Sequence, residues 1–236
     1  MATTERTMPP TRPDSGAPNR RTVLVVDDHP ILRRGLTALI ESEPDLVVGA
    51  EAADCKAAIE AFMRVQPDLV IVDLALGDDD GFNLVVWMHA HHPDTPVLVL
   101  SMYEESVFAE RSLRAGARGY IKKTQLDDTL LVAIRQLLSG ETYMSAALQH
   151  QLAGQCISGK QPGGASPVAR LSDRELQVFH LIGQGRTTRE IAQHLNLSIK
   201  TIETHRSHIK RKLDLASSAE LARSASQWVG SLGRTR

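Results

Sequence analysis

Leu69-Val70-Ile71-Val72 closes on Asp73, and this short run constrains the fold more than any other stretch. A continuous apolar run of strand length suits a strand buried on both faces of a parallel sheet, and the abrupt carboxylate marks its end. The loop that follows is rich in Gly and Asp, so no helix starts before about Gly81.

The same alternation recurs along the first 140 residues. Residues 22–26, 46–50, 69–72, 97–100 and 119–122 are strand-like, while 30–41, 54–64, 81–91, 106–115 and 126–138 have helical length and spacing. Strict β/α alternation predicts a doubly wound parallel sheet, and five strands suit the flavodoxin-like order 2-1-3-4-5. Ligands and chemistry in such sheets sit at the carboxyl ends of the strands. There the chain places Asp27 and Asp28, Asp73, Ser101 and Lys123. Three carboxylates at neighbouring strand ends repel one another unless a cation lies among them, and an all-oxygen set favours a hard divalent ion such as magnesium. Lys123 and Ser101 could then neutralise and hydrogen-bond a phosphoryl group carried on Asp73.

Charge divides the chain in two. Residues 170–236 carry 12 Lys and Arg against 6 Asp and Glu, a net of +6, whereas the remainder has a net of −7. Residues 1–20 are proline-rich and polar and are expected to be a disordered tail, 21–140 the α/β domain, 141–169 a short helix and flexible linker, and 170–236 a basic helical domain. Cys55 and Cys156 are too few for a disulfide framework, and no His and Cys spacing suggests zinc. Without a signal segment or an apolar run of membrane-spanning length, the expected location is the cytoplasm, with no membrane partner.

The pair Asp27-Asp28, Asp73, Asp80-Gly81, Ser101 and the run from Ala115 to Lys123 resemble the receiver domain of two-component response regulators. The resemblance implies that Asp73 accepts a phosphoryl group from a sensor histidine kinase. It also implies that Asp27 and Asp28 hold Mg2+ together with Asp73 and the Ala75 carbonyl, that Lys123 and Ser101 contact the phosphoryl, and that Tyr120 changes rotamer with Ser101. The chain departs from the family pattern at Gly77, where Pro is common, and at Thr124 after the lysine, leaving that peptide's isomer open. Lys122 adjoins Lys123, and side-chain alternation together with the family's spacing selects the latter.

Three other readings compete. Asp27 and Asp28 could cap the helix that begins at Pro30. Asp73 could instead be the nucleophile of a small phosphohydrolase, but such enzymes place an acid two residues on to protonate the leaving group, and that position is Ala75. Tyr120 could be a packing residue.

In the basic half, Ser172 and Glu175 form a capping-box pattern ahead of a helix ended by Gly183-Gln184-Gly185. Residues 188–195 and 199–213 follow as helices joined by a tight turn, a helix-turn-helix, and 218–228 as a fourth. On the third, Ile202, Ile209 and Leu213 share one face while Lys200, Thr204, Ser207 and Arg211 share the other. That outer stripe, with Thr201, Glu203, His208 and Lys210 beside it, suits the major groove of double-stranded DNA, with the basic residues near the helix end on phosphates. His205 is expected to pack. A solvated basic face is the plainer alternative.

Leu171-Ser172-Asp173-Arg174-Glu175, Glu190-Ile191-Ala192, Lys200-Thr201-Ile202, His205 and Lys212-Leu213 resemble the LuxR-type output domain. The whole is similar to NarL/FixJ response regulators, which implies a non-enzymatic transcription factor, a homodimer through the last helix, and RNA polymerase as a possible further partner. The alternatives are a regulator that binds DNA without phosphorylation and a protein-interaction adaptor.

Overall fold

A computed structural model describes residues 20–76, 79–102, 105–146, 148–150, 167–195 and 197–232. All of the expected tail at 1–20 but its last residue, and residues 151–166 of the expected linker at 141–169, lie outside them. The first domain runs β1 (Arg21–Val26), α1 (Pro30–Glu41), β2 (Leu46–Ala52), α2 (Cys55–Val65), β3 (Leu69–Asp73), β4 (Ala75–Leu76), β5 (Asp79–Asp80), α3 (Gly81–His91), β6 (Val97–Ser101), α4 (Glu105–Arg114), β7 (Gly119–Lys122) and α5 (Leu126–Leu138). β2-β1-β3-β6-β7 form one parallel sheet, which is the expected order of five strands.

Both faces of that sheet are covered, which explains the unbroken apolar runs. Val23, Val25, Leu69, Ile71, Leu98, Leu100 and Ile121 pack with Leu36 and Ile40 of α1 and Leu130, Ile134 and Leu137 of α5. The alternate residues Leu24, Val26, Val70, Val72, Val97, Val99 and Tyr120 meet Phe62 of α2, Phe82 and Met88 of α3 and Phe108 of α4. Two features differ from expectation. β2 continues to Ala52 because, as an edge strand, it alternates exposed and buried residues beyond the apolar run. The loop after Asp73 contains the antiparallel pair β4–β5, whose two-residue strands are too short to leave a period in the sequence.

The second domain holds α6 (Asp173–Gly183), α7 (Thr188–His194), α8 (Ile199–Lys212) and α9 (Ser218–Leu232). Ser172 and Glu175 close a full capping box on α6, and Thr187 and Glu190 close another on α7. Gly185, at φ 81°, supplies the left-handed turn that ends the α6 segment. Phe179, Ile191, Leu195, Ile202, Ile209, Leu221 and Ala225 make the core. The fourth helix extends past residue 228 to Leu232. Between the domains, Arg111 of α4 donates to the Leu171 carbonyl at 3.0 Å, and the Phe108 and His180 rings meet edge-on. Among the described residues, no helix is long and apolar enough to cross a membrane.

Gly81, at the start of α3, is fixed by the Asp73 backbone. A Cβ there would stand 2.2 Å from the Asp73 carbonyl oxygen and 2.8 Å from Leu74 Cα, and neither backbone atom can swing aside. Gly81→Ala is expected to destabilise the first domain by about 1–3 kcal/mol in urea unfolding monitored by circular dichroism. An unchanged midpoint would show that the contact relaxes freely.

Candidate phosphoacceptor pocket and nucleic-acid interface

Asp73 ends β3, Asp27 follows β1, and Lys123 follows β7, so the sheet brings three side chains distant in sequence to one edge. Lys123 Nζ lies 2.7 Å from Asp27 Oδ2 and 2.7 Å from Asp73 Oδ2. All three side chains are at most 5 % exposed. The second oxygens are held by the backbone: Ala75 N–H donates to Asp73 Oδ1 at 3.1 Å, and His29 N–H donates to Asp27 Oδ1 at 2.8 Å. Of the two adjacent lysines it is therefore Lys123 that enters the pocket. The Lys123–Thr124 peptide is trans.

The capping alternative for the acidic pair does not hold in its simple form. The residue at the N-cap of α1 is His29, and no side chain caps that helix. Asp28 Oδ1 is buried without a hydrogen-bond partner; the His29 ring nitrogen stands 2.6 Å away but out of hydrogen-bond alignment. One ligand atom each from Asp27, Asp28, His29 and Asp73 fall within 4.8 Å of one another. An orphaned buried carboxylate oxygen beside two more carboxylates fits a bound divalent cation.

Burial drives the Asp73 carboxyl up from its ordinary 3.8 to about 6; Lys123 pulls it down and Asp27 pushes it further up. Burial would likewise depress the Lys123 ammonium, but Asp73 and Asp27 outweigh it and hold that group above its usual range. Both groups hold their protons more tightly than they would in water. Ser101 ends β6 and is fully buried, and Tyr120 of β7 is buried among the side chains facing α2 to α4. Over the pocket opens a cleft of about 540 Å³ lined by His29, Ile31, Leu32, Met102 and, from α7, His194. Neither histidine was singled out from the sequence, although His29 adjoins the acidic pair.

On α8, Ser198 caps the first turn and Ile202 and Ile209 are fully buried, which fixes the rotation of the helix. Lys200, Glu203, Thr204, Ser207 and Arg211 are exposed on the opposite side. The first domain does not cover this face. The Thr204 and Ser207 hydroxyls donate to the carbonyls one turn back, and the Thr201 hydroxyl pairs with Ser198. Lys210 is half-buried, and His208 Nδ1 lies 3.8 Å from Glu175, so His208 sits on the flank. Lys212 is a brace, its Nζ 2.6 Å from Glu175 Oε2. Burial opposes ionisation of Glu175, but Lys212 and Ser172 hold its carboxyl below the usual range. His205 is half-buried, and burial lowers its pKa.

Comparison with known proteins agrees with both halves. Residues 23–135 match the response regulator receiver domain, and residues 169–225 match the family of bacterial regulatory proteins, luxR family. The oxygen regulatory protein NreC of Staphylococcus haemolyticus (strain JCSC1435) is 36 % identical over 203 residues, covering 84 % of this chain and 94 % of NreC. A LuxR-family two-component response regulator from Aurantimonas sp. SI85-9A1 is 33 % identical, with a TM-score of 0.54, over 58 % of this chain and 99 % of its own. RcsB from Salmonella enterica serovar Typhimurium, bound to promoter rprA in the presence of the phosphomimetic BeF3-, is 27 % identical, with a TM-score of 0.56, over 88 % of this chain and 99 % of its own. The chain thus belongs to the two-component response regulators of the NarL/FixJ type, transcription regulators with a receiver domain and a LuxR-type DNA-binding domain.

Proposed function

We propose that Asp73 accepts a phosphoryl group from a sensor histidine kinase and that its phosphorylation controls sequence-specific DNA binding through α8. The observation that carries this reading is Lys123 Nζ at 2.7 Å from both Asp73 and Asp27, a cation placed beside a buried carboxylate nucleophile. Asp27, Asp28, Asp73 and the Ala75 carbonyl are suited to hold Mg2+, which would supply positive charge against the oxygens of the transferring phosphoryl group. An Asp73 oxygen attacks phosphorus, the new O–P bond replacing the P–N bond of the donor phosphohistidine, whose imidazole keeps the electron pair and takes a proton from water. Formation of the acyl phosphate removes the Asp73 carboxylate charge but adds phosphoryl oxygens, toward which Lys123 and the Ser101 hydroxyl can turn. Movement of Ser101 would leave room for Tyr120 to change rotamer.

On DNA, Lys200, Thr201, Glu203, Thr204, Ser207 and His208 would lie nearest the base edges, with Lys210 and Arg211 on phosphates. α9 would provide the homodimer contact. A second reading, DNA binding independent of phosphorylation, is favoured by one observation: the outer face of α8 is exposed while Asp73 is paired with Lys123.

A mobility-shift titration separates the two. Acetyl phosphate is expected to tighten promoter binding by the wild type and not by Asp73→Ala; equal affinity with and without the donor would leave only the second reading. Arg211→Ala is expected to weaken binding to all sequences alike and to reduce the salt slope by about one. The acceptor also carries a stability cost. Because its folded pKa is raised, its contribution is most favourable below pH 3.8 and is lost as pH rises through about 6. At pH 7.5 without divalent ions, Asp73→Asn is therefore expected to raise the thermal midpoint by about 2–4 °C, and the gain should vanish near pH 3.8. A gain that persists at low pH would sink this account.

A further inference from the structure

The outer face of α8 carries one acid among its bases, and the bonds along the helix decide what that acid is free to do. The Thr204 hydroxyl donates to the Lys200 carbonyl at 3.0 Å and the Ser207 hydroxyl to the Glu203 carbonyl at 3.0 Å, while the Thr201 and Ser198 hydroxyls pair at 2.8 Å. The short polar side chains of the face thus spend their donors on the helix itself. The Glu203 carboxylate is exposed and has no ion-pair or hydrogen-bond partner among the described residues. Its position is nevertheless fixed, because the adjoining Ile202 is fully buried, Ile209 is too, and Ser198 caps the first turn. In a helix-turn-helix, the N-terminal turns of the second helix are the ones that meet base edges.

We infer that Glu203 sets a base preference in the operator by accepting from the amino group of a cytosine in each half-site. This rests on the reading that α8 enters the major groove. A carboxylate is an acceptor only, and in the groove it lies among phosphates of its own sign. It therefore lowers affinity on every sequence unless a donor stands opposite. Guanine offers N7 and O6, both acceptors, and thymine offers O4 and a methyl group, so neither edge gives it one. Adenine offers an amino group beside the N7 acceptor, whereas the cytosine edge offers its N4 amino group alone. Specificity at this position comes from rejection as much as from attraction. Arg211, by contrast, finds an acceptor in any phosphate and favours every duplex alike.

The test uses full-length protein treated with acetyl phosphate and a pool of random duplex DNA, from which bound sequences are recovered and read at one salt concentration. The wild type is compared with Glu203→Ala and with the isosteric Glu203→Gln, with circular dichroism to check the fold. The wild type is expected to require cytosine at one position of each half-site, and replacing that C·G pair by T·A should weaken it about tenfold in a mobility-shift titration. Glu203→Ala should lose the requirement and bind random duplex about threefold more tightly, because a negative charge has left the surface that faces the phosphates. Glu203→Gln should move the preference to adenine, whose N6 and N7 a side-chain amide matches. A helix that was merely loosened would bind more weakly and would not exchange one base for another. The same base preferences in all three proteins would overturn the role of Glu203 and leave α8 as the reading helix. Failure of the wild type to enrich any sequence would remove base reading by α8 together with the inference.

Discussion

Lys123 stands between carboxylates that lie 96 and 50 residues away in the chain, and the arrangement of the pocket turns on that triple contact. Its geometry is set by the sheet. Parallel pairing of β1 with β3, β3 with β6 and β6 with β7 places their carboxyl ends side by side, so the acids and the ammonium meet without any dedicated loop. Two buried carboxylates share one ammonium, and desolvation leaves Asp73 unwilling to ionise. A buried pair of this kind is a poor source of stability but responds strongly to any change in the charge beside it. A receiver needs that responsiveness more than it needs rigidity.

The second domain is specified by shorter-range devices. Three successive helices begin at a Ser or Thr whose side chain accepts from a backbone amide, and two of those caps are completed by a returning Glu. The capping glutamate of α6 does double duty. Glu175 closes the box at Ser172 and holds Lys212 at the far end of α8, fixing that helix against the domain it belongs to. A basic residue of α8 can thus be structural, which charge counting along the sequence does not reveal.

Much of the fold was readable because each doubly buried strand had to be apolar throughout, so its length and its polar terminus stood out together. The site followed from those termini. What was not readable has particular causes. Tyr120 and Ile121 point to opposite faces and both are buried, so alternation alone separates Lys122 from Lys123 only weakly; the turn beyond the strand completes the separation. β4 and β5, of two residues each, have no period to detect. The contact between Arg111 and residue 171 could not be foreseen, since it uses a main-chain carbonyl.

That last contact has a bearing on how such proteins can be reassembled. A bond accepted by the backbone does not depend on the side chain at residue 171, only on the carbonyl being in place at the entry to α6. The specificity of that bond therefore resides on the α4 side, in the reach of one guanidinium. A different helical output module could be grafted after the linker and still find its anchor, provided it presented a free carbonyl and an aromatic edge at the same spacing.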